Sequence, residues 1–227
     1  MLERIASRTY YSIQHIRSAA NFTRHALDIE EKYIGSNKDG LLHKHQSYVT
    51  GAIFTSVAFL EATINEIFMD TSDSSSYGEL EELGEETLKL MNSMWEVLSH
   101  SSTLNKFQKA LVLTNKASFD KGSLPYQDVD LLIKLRNALT HYEPQTIITH
   151  LVKESKINEK NISKNLKGKF ELNPLIGAGA SYFPHKILSY GCSKWAVNSS
   201  LNFTDEFFKK IKINPTYDHV RDDLSLI

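Results

Sequence analysis

The chain has 227 residues, of which 41% are hydrophobic and 23% charged, and its formal net charge is −1. This balance is ordinary for a soluble protein and excludes a global electrostatic attraction to nucleic acid, so any such affinity must come from a local patch. The single cysteine, Cys192, excludes an internal disulfide framework and a cysteine-based metal cluster.

The same features predict a cytoplasmic protein. A lone cysteine fits a reducing compartment, and the N-terminal stretch carries charged and polar residues where a signal peptide needs an apolar one. The longest uncharged apolar run, 48–60, falls short of the ~18–20 residues that a membrane span requires. We therefore expect a buried helix there and no association with a membrane.

Helical spacing of apolar residues dominates the first half of the chain, and strand-like alternation is scarce. The pattern predicts long helices over 2–33 and 41–69. The second carries an apolar stripe formed by Ile53, Val57, Leu60, Ile64 and Ile67. A serine-rich flexible loop is predicted over 70–78, at the start of an acidic segment. Two helices are predicted after it, one that reaches about Leu98 and a short one from about Leu104 to Thr114.

The second half begins with a loop that leads to a helix over 128–142, where Pro125 suits a first-turn position. Six lysines and two glutamates then follow within 153–169, and we predict a flexible loop over 153–172. A last substantial helix should start at Pro184, followed by a short helix and an extended tail. Because no linker separates two segments that could each bury a core, the sequence predicts one all-α domain over 1–227.

Residues 131–142, LLIKLRNALTHY, are the most informative stretch. On an ideal helix at ~100° per residue, six apolar or aromatic residues form one wide core face: Leu131, Leu132, Leu135, Ala138, Leu139 and Tyr142. Asn137 and His141 are neighbours on nearly the opposite face, with Arg136 at the edge. Arg136 and His141 diverge by roughly 140°, so a straight helix cannot easily aim both at one phosphate.

Two arrangements would solve this divergence. The helix distorts in its last turn, or a second helix supplies the missing partner. Ile133 and Val129 near the outer face indicate that this face is covered, for example by a second copy of the chain. In a two-fold dimer the same patch meets itself, so that two Arg136 and two His141 side chains would converge in one cleft.

Arginine and asparagine followed four residues later by histidine, on a helix that ends before Pro144, resemble the signature of the HEPN superfamily. The name stands for "higher eukaryotes and prokaryotes nucleotide-binding", and bacterial HEPN ribonucleases are the nearest comparison. The resemblance implies an all-α HEPN-like helical bundle with long antiparallel helices and extra C-terminal helices. It also implies a homodimeric endoribonuclease that needs no metal or other cofactor and has a composite site at the dimer interface. Toxin and anti-phage defence roles, with an antitoxin partner in some cases, are common in that superfamily.

The resemblance also implies the catalytic roles of three residues. His141 would assist attack of the ribose 2′-hydroxyl on the adjacent phosphate, as general base or acid. Arg136 would stabilise charge on the phosphate oxygens, and Asn137 would hold the imidazole or a phosphate oxygen. The products would be a 2′,3′-cyclic phosphate and a free 5′-hydroxyl.

Supporting residues are predicted more weakly. Glu61 or Glu66, on the second long helix, could orient His141 or Arg136, although each glutamate taken alone is more typical of a solvated side chain. Tyr142 closes the motif. The lysine-rich segment is the best local basic patch for an RNA backbone, and its candidate contacts are Lys153, Lys156, Lys160, Lys164, Lys167 and Lys169.

The main alternative is a non-catalytic HEPN dimerisation or interaction module, such as the partner of a nucleotidyltransferase. A metal or small-molecule enzyme has little support, because no metal-ligand set is visible. His43 and His45 would point ~200° apart on a helix, which favours a surface pair. Cys192 and Trp195 are predicted to lie in the core.

Overall fold

The computed structural model describes residues 9–33, 39–72, 78–143, 159–177 and 179–226, and the regular structure within these ranges is entirely helical. The prediction of an all-α fold is confirmed. The described α-helices are α1 (Tyr11–Tyr33), α2 (Asp39–Asp70), α3 (Glu85–Leu98), α4 (Thr103–Leu113), α5 (Tyr126–Thr140), α6 (Glu159–Leu166) and α7 (Tyr190–Ile211). Two 3-10 helices span Gly78–Leu83 and Asp218–Leu224, and a wide helical turn spans Tyr182–Lys186, here called the 182–186 turn.

The long helices α1 and α2 form the centre of the fold. They run antiparallel, because Glu30 near the end of α1 meets His45 near the start of α2, whereas Ser12 meets Glu66 at the other end. A Cβ atom added at Gly51 would lie 2.9 Å from the ring of Phe22, so the missing side chain permits the close helix crossing. Helix α7 packs against both helices.

The apolar stripe predicted for the second helix is confirmed, since Ile53, Val57, Leu60, Ile64 and Ile67 are all buried. Its residues are shared between two apolar clusters. The main cluster joins the C-terminal half of α2 to α3, α4, α7 and the C-terminal 3-10 helix. The α5 cluster joins the N-terminal half of α2 to α5, α6 and the 182–186 turn. Helix α5 therefore packs against the N-terminal half of α2.

Helix α2 is also the one described helix that is long and apolar enough to cross a membrane, over Gly40–Asp70. Of the apolar window that meets this test, 56% is buried inside the protein. The core helix of a soluble protein satisfies the same criterion, so the length and composition of α2 are weak support for a membrane span.

A buried polar network ties the C-terminal part of the chain to α1 and α2. The Glu30 carboxylate accepts a hydrogen bond from Tyr190 N at 2.7 Å and lies 2.8 Å from His45 Nε2. Asn173 Nδ2 donates to the Leu188 carbonyl at 2.6 Å and lies 3.5 Å from His45 Nδ1.

The Asn173 amide fixes the tautomer of His45. Its Oδ1 accepts from Leu175 N at 2.9 Å, so its Nδ2 must be the donor that faces His45. The neutral imidazole then accepts at Nδ1 and donates from Nε2 to Glu30. The prediction of a surface pair was wrong for His45, which is fully buried against α1, and only His43 is exposed.

The C-terminal segment is not the extended tail that the sequence predicted. Its 3-10 helix packs on α1 because Tyr217, Val220 and Leu224 are buried in the main cluster. The Tyr217 hydroxyl donates to Asp205 Oδ1 at 2.6 Å and pairs with Thr204 Oγ1 at 2.7 Å. Burial, followed by the contact with Asp205, raises the pKa of Tyr217.

Polar contacts fasten the same segment to α1. Arg17 forms an ion pair with the Asp223 carboxylate at 3.0 Å, and Arg24 Nη1 donates to the Asp223 carbonyl at 2.9 Å. The last described helix is thus bound to the first one.

Two other predictions needed correction. The flexible loop predicted over 153–172 lies partly outside the described residues, but α6 forms within it because Ile162 and Leu166 bury one side against the α5 cluster. The predicted helix from Pro184 and the short helix after it are instead the continuous α7. It starts where the Ser189 hydroxyl accepts from Cys192 N at 3.0 Å. Of the predicted loop 70–78, residues 73–77 lie outside the described part.

Replacing Asn173 tests the polar network. In Asn173→Ala the buried Leu188 carbonyl and His45 Nδ1 lose their donor, so we expect the free energy of unfolding to fall by about 3 kcal/mol. Urea unfolding followed by circular dichroism measures the change. Asn165→Ala, at an exposed position of α6, is the matched control and should change stability by less than about 0.5 kcal/mol. Equal free energies of unfolding for Asn173→Ala and Asn165→Ala would contradict a stabilising role of the polar network.

Candidate functional site

The site predicted from the sequence lies at the C-terminal end of α5. Leu131, Leu132 and Leu135 are buried in the α5 cluster, and Ala138 and Leu139 are partly buried against it. The core face predicted for this helix is confirmed at these five positions. It is wrong for Tyr142, which is 42% exposed because it lies beyond the helix end at Thr140. The buried face anchors the helix, so that the opposite face is held at a fixed orientation.

Helix α5 ends between Arg136 and His141. Its last helical residue is Thr140, and His141 has φ −103° and ψ 38°, outside helical geometry. His141 N still donates to the Asn137 carbonyl at 2.9 Å, and Thr140 Oγ1 donates to the Arg136 carbonyl at 2.9 Å. The backbone therefore leaves helical geometry only at His141, after a last turn whose hydrogen bonds are intact.

The three motif side chains are not used to hold the fold together within the described part of the chain. Arg136 is half-buried, and its Nε atom is inaccessible to solvent and has no hydrogen-bond partner there. Asn137 and His141 are exposed. A half-buried guanidinium without an anionic neighbour has a desolvation cost that a bound anion would offset.

The apolar residues that indicated a covering subunit are used inside the chain. Val129 is fully buried in the main cluster, and Ile133 is partly buried against both clusters. The interpretation of Ile133 and Val129 as an outer, partner-covered face was therefore wrong. The position of α5 between the two clusters buries more of the helix than an ideal projection predicts.

The two glutamates proposed as supporting residues lie in different surroundings. Glu61 is exposed, and Glu66 accepts hydrogen bonds from Ser12 N, at 2.9 Å, and from the Ser12 hydroxyl. Helix α5 packs near Ala26, which lies about 20 Å further along α1 than Ser12 at the helical rise of ~1.5 Å per residue. Glu66 therefore caps the start of α1 and is not brought to His141.

The candidate RNA-contacting lysines are only partly placed. Lys153 and Lys156 lie outside the described residues, as does the side chain of Lys160. Lys164 is exposed on α6, and the Lys167 ammonium lies 5.7 Å from the centroid of the Tyr182 ring. Lys169 pairs with Asp128 at 2.6 Å, near the start of α5 and away from the motif.

The structure adds one segment that the sequence analysis did not connect with the motif. The ring of Tyr142 packs on that of Phe183 with 6.1 Å between centroids, so the 182–186 turn lies beside the end of α5. In that turn, Ser181 Oγ lies 2.8 Å from His185 Nδ1, and His185 is exposed. No local sequence pattern reveals this neighbourhood, because about 40 residues separate the two segments.

A cavity lies at the far end of the α1–α2 pair, away from the motif. It has a volume of about 600 Å³ and is lined by the ends of α1, α2 and α7 and by the two 3-10 helices, with Asp70, Glu79 and Asp218 among its residues. None of the predicted site residues lines it. The three carboxylates would repel a phosphate backbone. The end of α5 therefore remains the candidate site for nucleic acid.

The remaining candidates are structural. Cys192 is fully buried and Trp195 is 9% exposed, which confirms both core predictions. Burial raises the pKa of the Cys192 thiol, which opposes thiolate chemistry. Over the described ranges, no three histidine, cysteine or acidic side chains are grouped as metal ligands.

Comparison with known proteins gives no relationship from which a role could be transferred. No family model, no curated protein and no solved structure matches the chain. The function is therefore inferred from the geometry and chemistry of the site itself.

The capping role of Glu66 has a consequence for pH dependence. Burial raises the pKa of Glu66 above its ordinary 4.5, partly offset by the hydrogen bonds from Ser12. The folded state therefore binds this proton more tightly than the unfolded state, and the resulting stability is lost as pH rises through the folded-state pKa. We expect the wild type to lose stability relative to Glu66→Gln as the pH rises above 4.5, as measured in urea titrations. Glu61→Gln, at an exposed position, is the control, and a pH-independent difference for Glu66→Gln would refute the assignment.

Proposed function

We propose that this protein is a metal-independent endoribonuclease whose site is formed by Arg136, Asn137 and His141. The observation that carries the proposal is that these polar side chains share one helix end, that no side-chain hydrogen bond or ion pair joins them to other described residues, and that the Arg136 Nε atom is buried without a partner. Side chains of these types, left unengaged on a firmly packed helix, are available to a phosphate ligand. The resemblance of the Arg-Asn-x3-His pattern to HEPN ribonucleases supports the same chemistry.

In the proposed reaction the ribose 2′-oxygen attacks the adjacent phosphorus and the bond to the 5′-oxygen breaks. His141 transfers a proton as general base or acid, for which an exposed imidazole is suited near neutral pH. Arg136 is always charged and presents a planar fork to the phosphate oxygens as their charge grows. Asn137, adjacent to Arg136 and one turn from His141, would orient the imidazole or a phosphate oxygen.

The substrate is proposed to be RNA that reaches the site along α6. Lys164 is exposed and Lys167 lies over Tyr182, so a cationic and aromatic edge adjoins α5. The predicted contacts Lys153, Lys156 and Lys160 belong to the same sequence segment. With the opposite cleft acidic, this edge is the surface best suited to a polyanion.

The composite site at a homodimer interface remains part of the proposal. It rests on the divergence of Arg136 and His141 around the helix and on the HEPN resemblance. Cytoplasmic location, an antitoxin partner and a role as toxin or anti-phage effector belong to the same proposal. A non-catalytic interaction module, such as the partner of a nucleotidyltransferase, would explain the same fold without cleavage.

Cleavage in the presence of EDTA tests the activity directly. Wild-type protein incubated with total RNA or tRNA should give fragments that end in 2′,3′-cyclic phosphate. His141→Ala should lose roughly 100-fold or more in rate, because a general acid or base contributes at least that factor. Arg136→Ala should lose a comparable factor through weaker charge stabilisation.

Matched controls separate this site from contamination and misfolding. His100→Ala removes an exposed histidine between α3 and α4 and should cleave as the wild type does. Arg136→Lys keeps the charge without the planar fork and should recover only part of the rate. Equal cleavage by all variants would assign the activity elsewhere, and silence of the wild type on every RNA would favour the interaction module.

Mixing two inactive variants tests the composite site. A heterodimer of Arg136→Ala and His141→Ala retains one intact arginine and one intact histidine, on different subunits. If the site pairs residues across the interface, we expect the mixture to recover part of the wild-type rate while each variant alone stays inactive. Recovery should require subunit exchange, which co-purification through an affinity tag on one of the two variants can follow. No recovery from a verified heterodimer would place both residues of a site on one chain.

A further inference from the structure

The cleavage chemistry proposed above requires two proton transfers, and one histidine cannot make both at the same moment. Attack requires a base to take the proton of the 2′-hydroxyl, and departure of the 5′-oxygen requires an acid to supply one. The sequence motif contains a single histidine. The second group is then either the His141 of a second subunit, if the site is composite, or another side chain of the same chain.

The 182–186 turn brings a second exposed histidine to the end of α5. Tyr142, which follows His141 directly, packs on Phe183, and His185 lies two residues beyond Phe183. Phe183 is buried in the same cluster as Leu135. The aromatic pair therefore fastens the two histidine-bearing segments together.

His185 is held in a defined orientation. Its Nδ1 lies 2.8 Å from Ser181 Oγ, so this nitrogen is engaged and Nε2 is the ring atom left to meet a ligand. A charged imidazole donates from Nδ1 to the Ser181 oxygen and carries a second proton on Nε2. After Nε2 gives up its proton, the Nδ1–H bond to Ser181 remains, so transfer needs no rearrangement of the ring.

We propose that His185 is the general acid of the cleavage reaction, a role that rests on the proposed ribonuclease function. His141 takes the 2′-hydroxyl proton as the 2′-oxygen bonds to phosphorus. The bond from phosphorus to the 5′-oxygen breaks, and His185 Nε2 delivers a proton to that oxygen. The products are a 2′,3′-cyclic phosphate and a 5′-hydroxyl, and exchange with solvent returns both exposed histidines to their starting states.

Ser181 is a positioning residue in this scheme, because it acts through the His185 ring and does not meet the RNA. Loss of its hydroxyl would leave the imidazole free to rotate. Ser181→Ala should therefore slow cleavage, and Ser181→Thr, which keeps a hydroxyl, should restore most of the rate. A purely local capping role for Ser181 would leave cleavage unchanged in both variants.

The decisive experiment changes the leaving group. Once wild-type protein has defined a cleaved linkage, an oligoribonucleotide is prepared with sulfur in place of the bridging 5′-oxygen at that linkage. A thiolate departs without being protonated, so a variant that lacks only the general acid regains its rate on this substrate. We expect His185→Ala to cleave the oxygen substrate about 100-fold more slowly than the wild type and to cleave the sulfur substrate at nearly the wild-type rate.

Two controls make the outcomes distinct. His141→Ala should be slow on both substrates because it lacks the base, and His100→Ala should match the wild type on both. An equal loss by His185→Ala on the two substrates, or no loss on either, would overturn the assignment of His185 while the ribonuclease function stands. A wild type that cleaves no RNA in the preceding test would instead overturn the ribonuclease function, and the role of His185 with it.

Discussion

The buried carboxylate of Glu30 is the constraint on which the positions of the other segments depend. A buried charge must be paired and hydrogen-bonded, since the alternative is a large desolvation cost. Glu30 satisfies this requirement through His45 of α2 and the amide of Tyr190 at the start of α7. One carboxylate thus joins the central helix pair to the C-terminal half of the chain.

Asn173 extends this constraint toward the candidate site. By bonding the Leu188 carbonyl while facing His45, it fixes both ends of the segment that contains the 182–186 turn. The 182–186 turn packs against the end of α5, because the ring of Phe183 contacts the ring of Tyr142. The exposed motif residues therefore rest on a firmly packed base, and preorganisation of this kind is what a site for phosphate chemistry requires.

The sequence predicted those elements in which periodicity is strong and local. The stripe of α2 and the leucine face of α5 could be read directly because burial repeats at helical spacing. The 3-10 helix around Tyr217 could not, because its stability comes from Thr204 and Asp205 of α7 rather than from its own pattern. The burial of His45 depends on Glu30, 15 positions earlier, and on Asn173, 128 positions later. The contact of Phe183 with Tyr142 also joins segments far apart in the chain, and no single-sequence pattern contains such partners. At the site, the residue types of the motif were readable, whereas the burial of Val129 and the displacement of Glu66 to α1 required the folded chain.

The attachment of the C-terminal 3-10 helix to α1 has a consequence for biosynthesis. Arg24 bonds the carbonyl of Asp223, 199 positions later in the chain. Such a contact cannot form until residue 223 has emerged from the ribosome, long after α1 has left it. During translation the apolar face of α1 lacks part of its cover until residues 218–224 emerge, and before then only α2 and α7 can cover it.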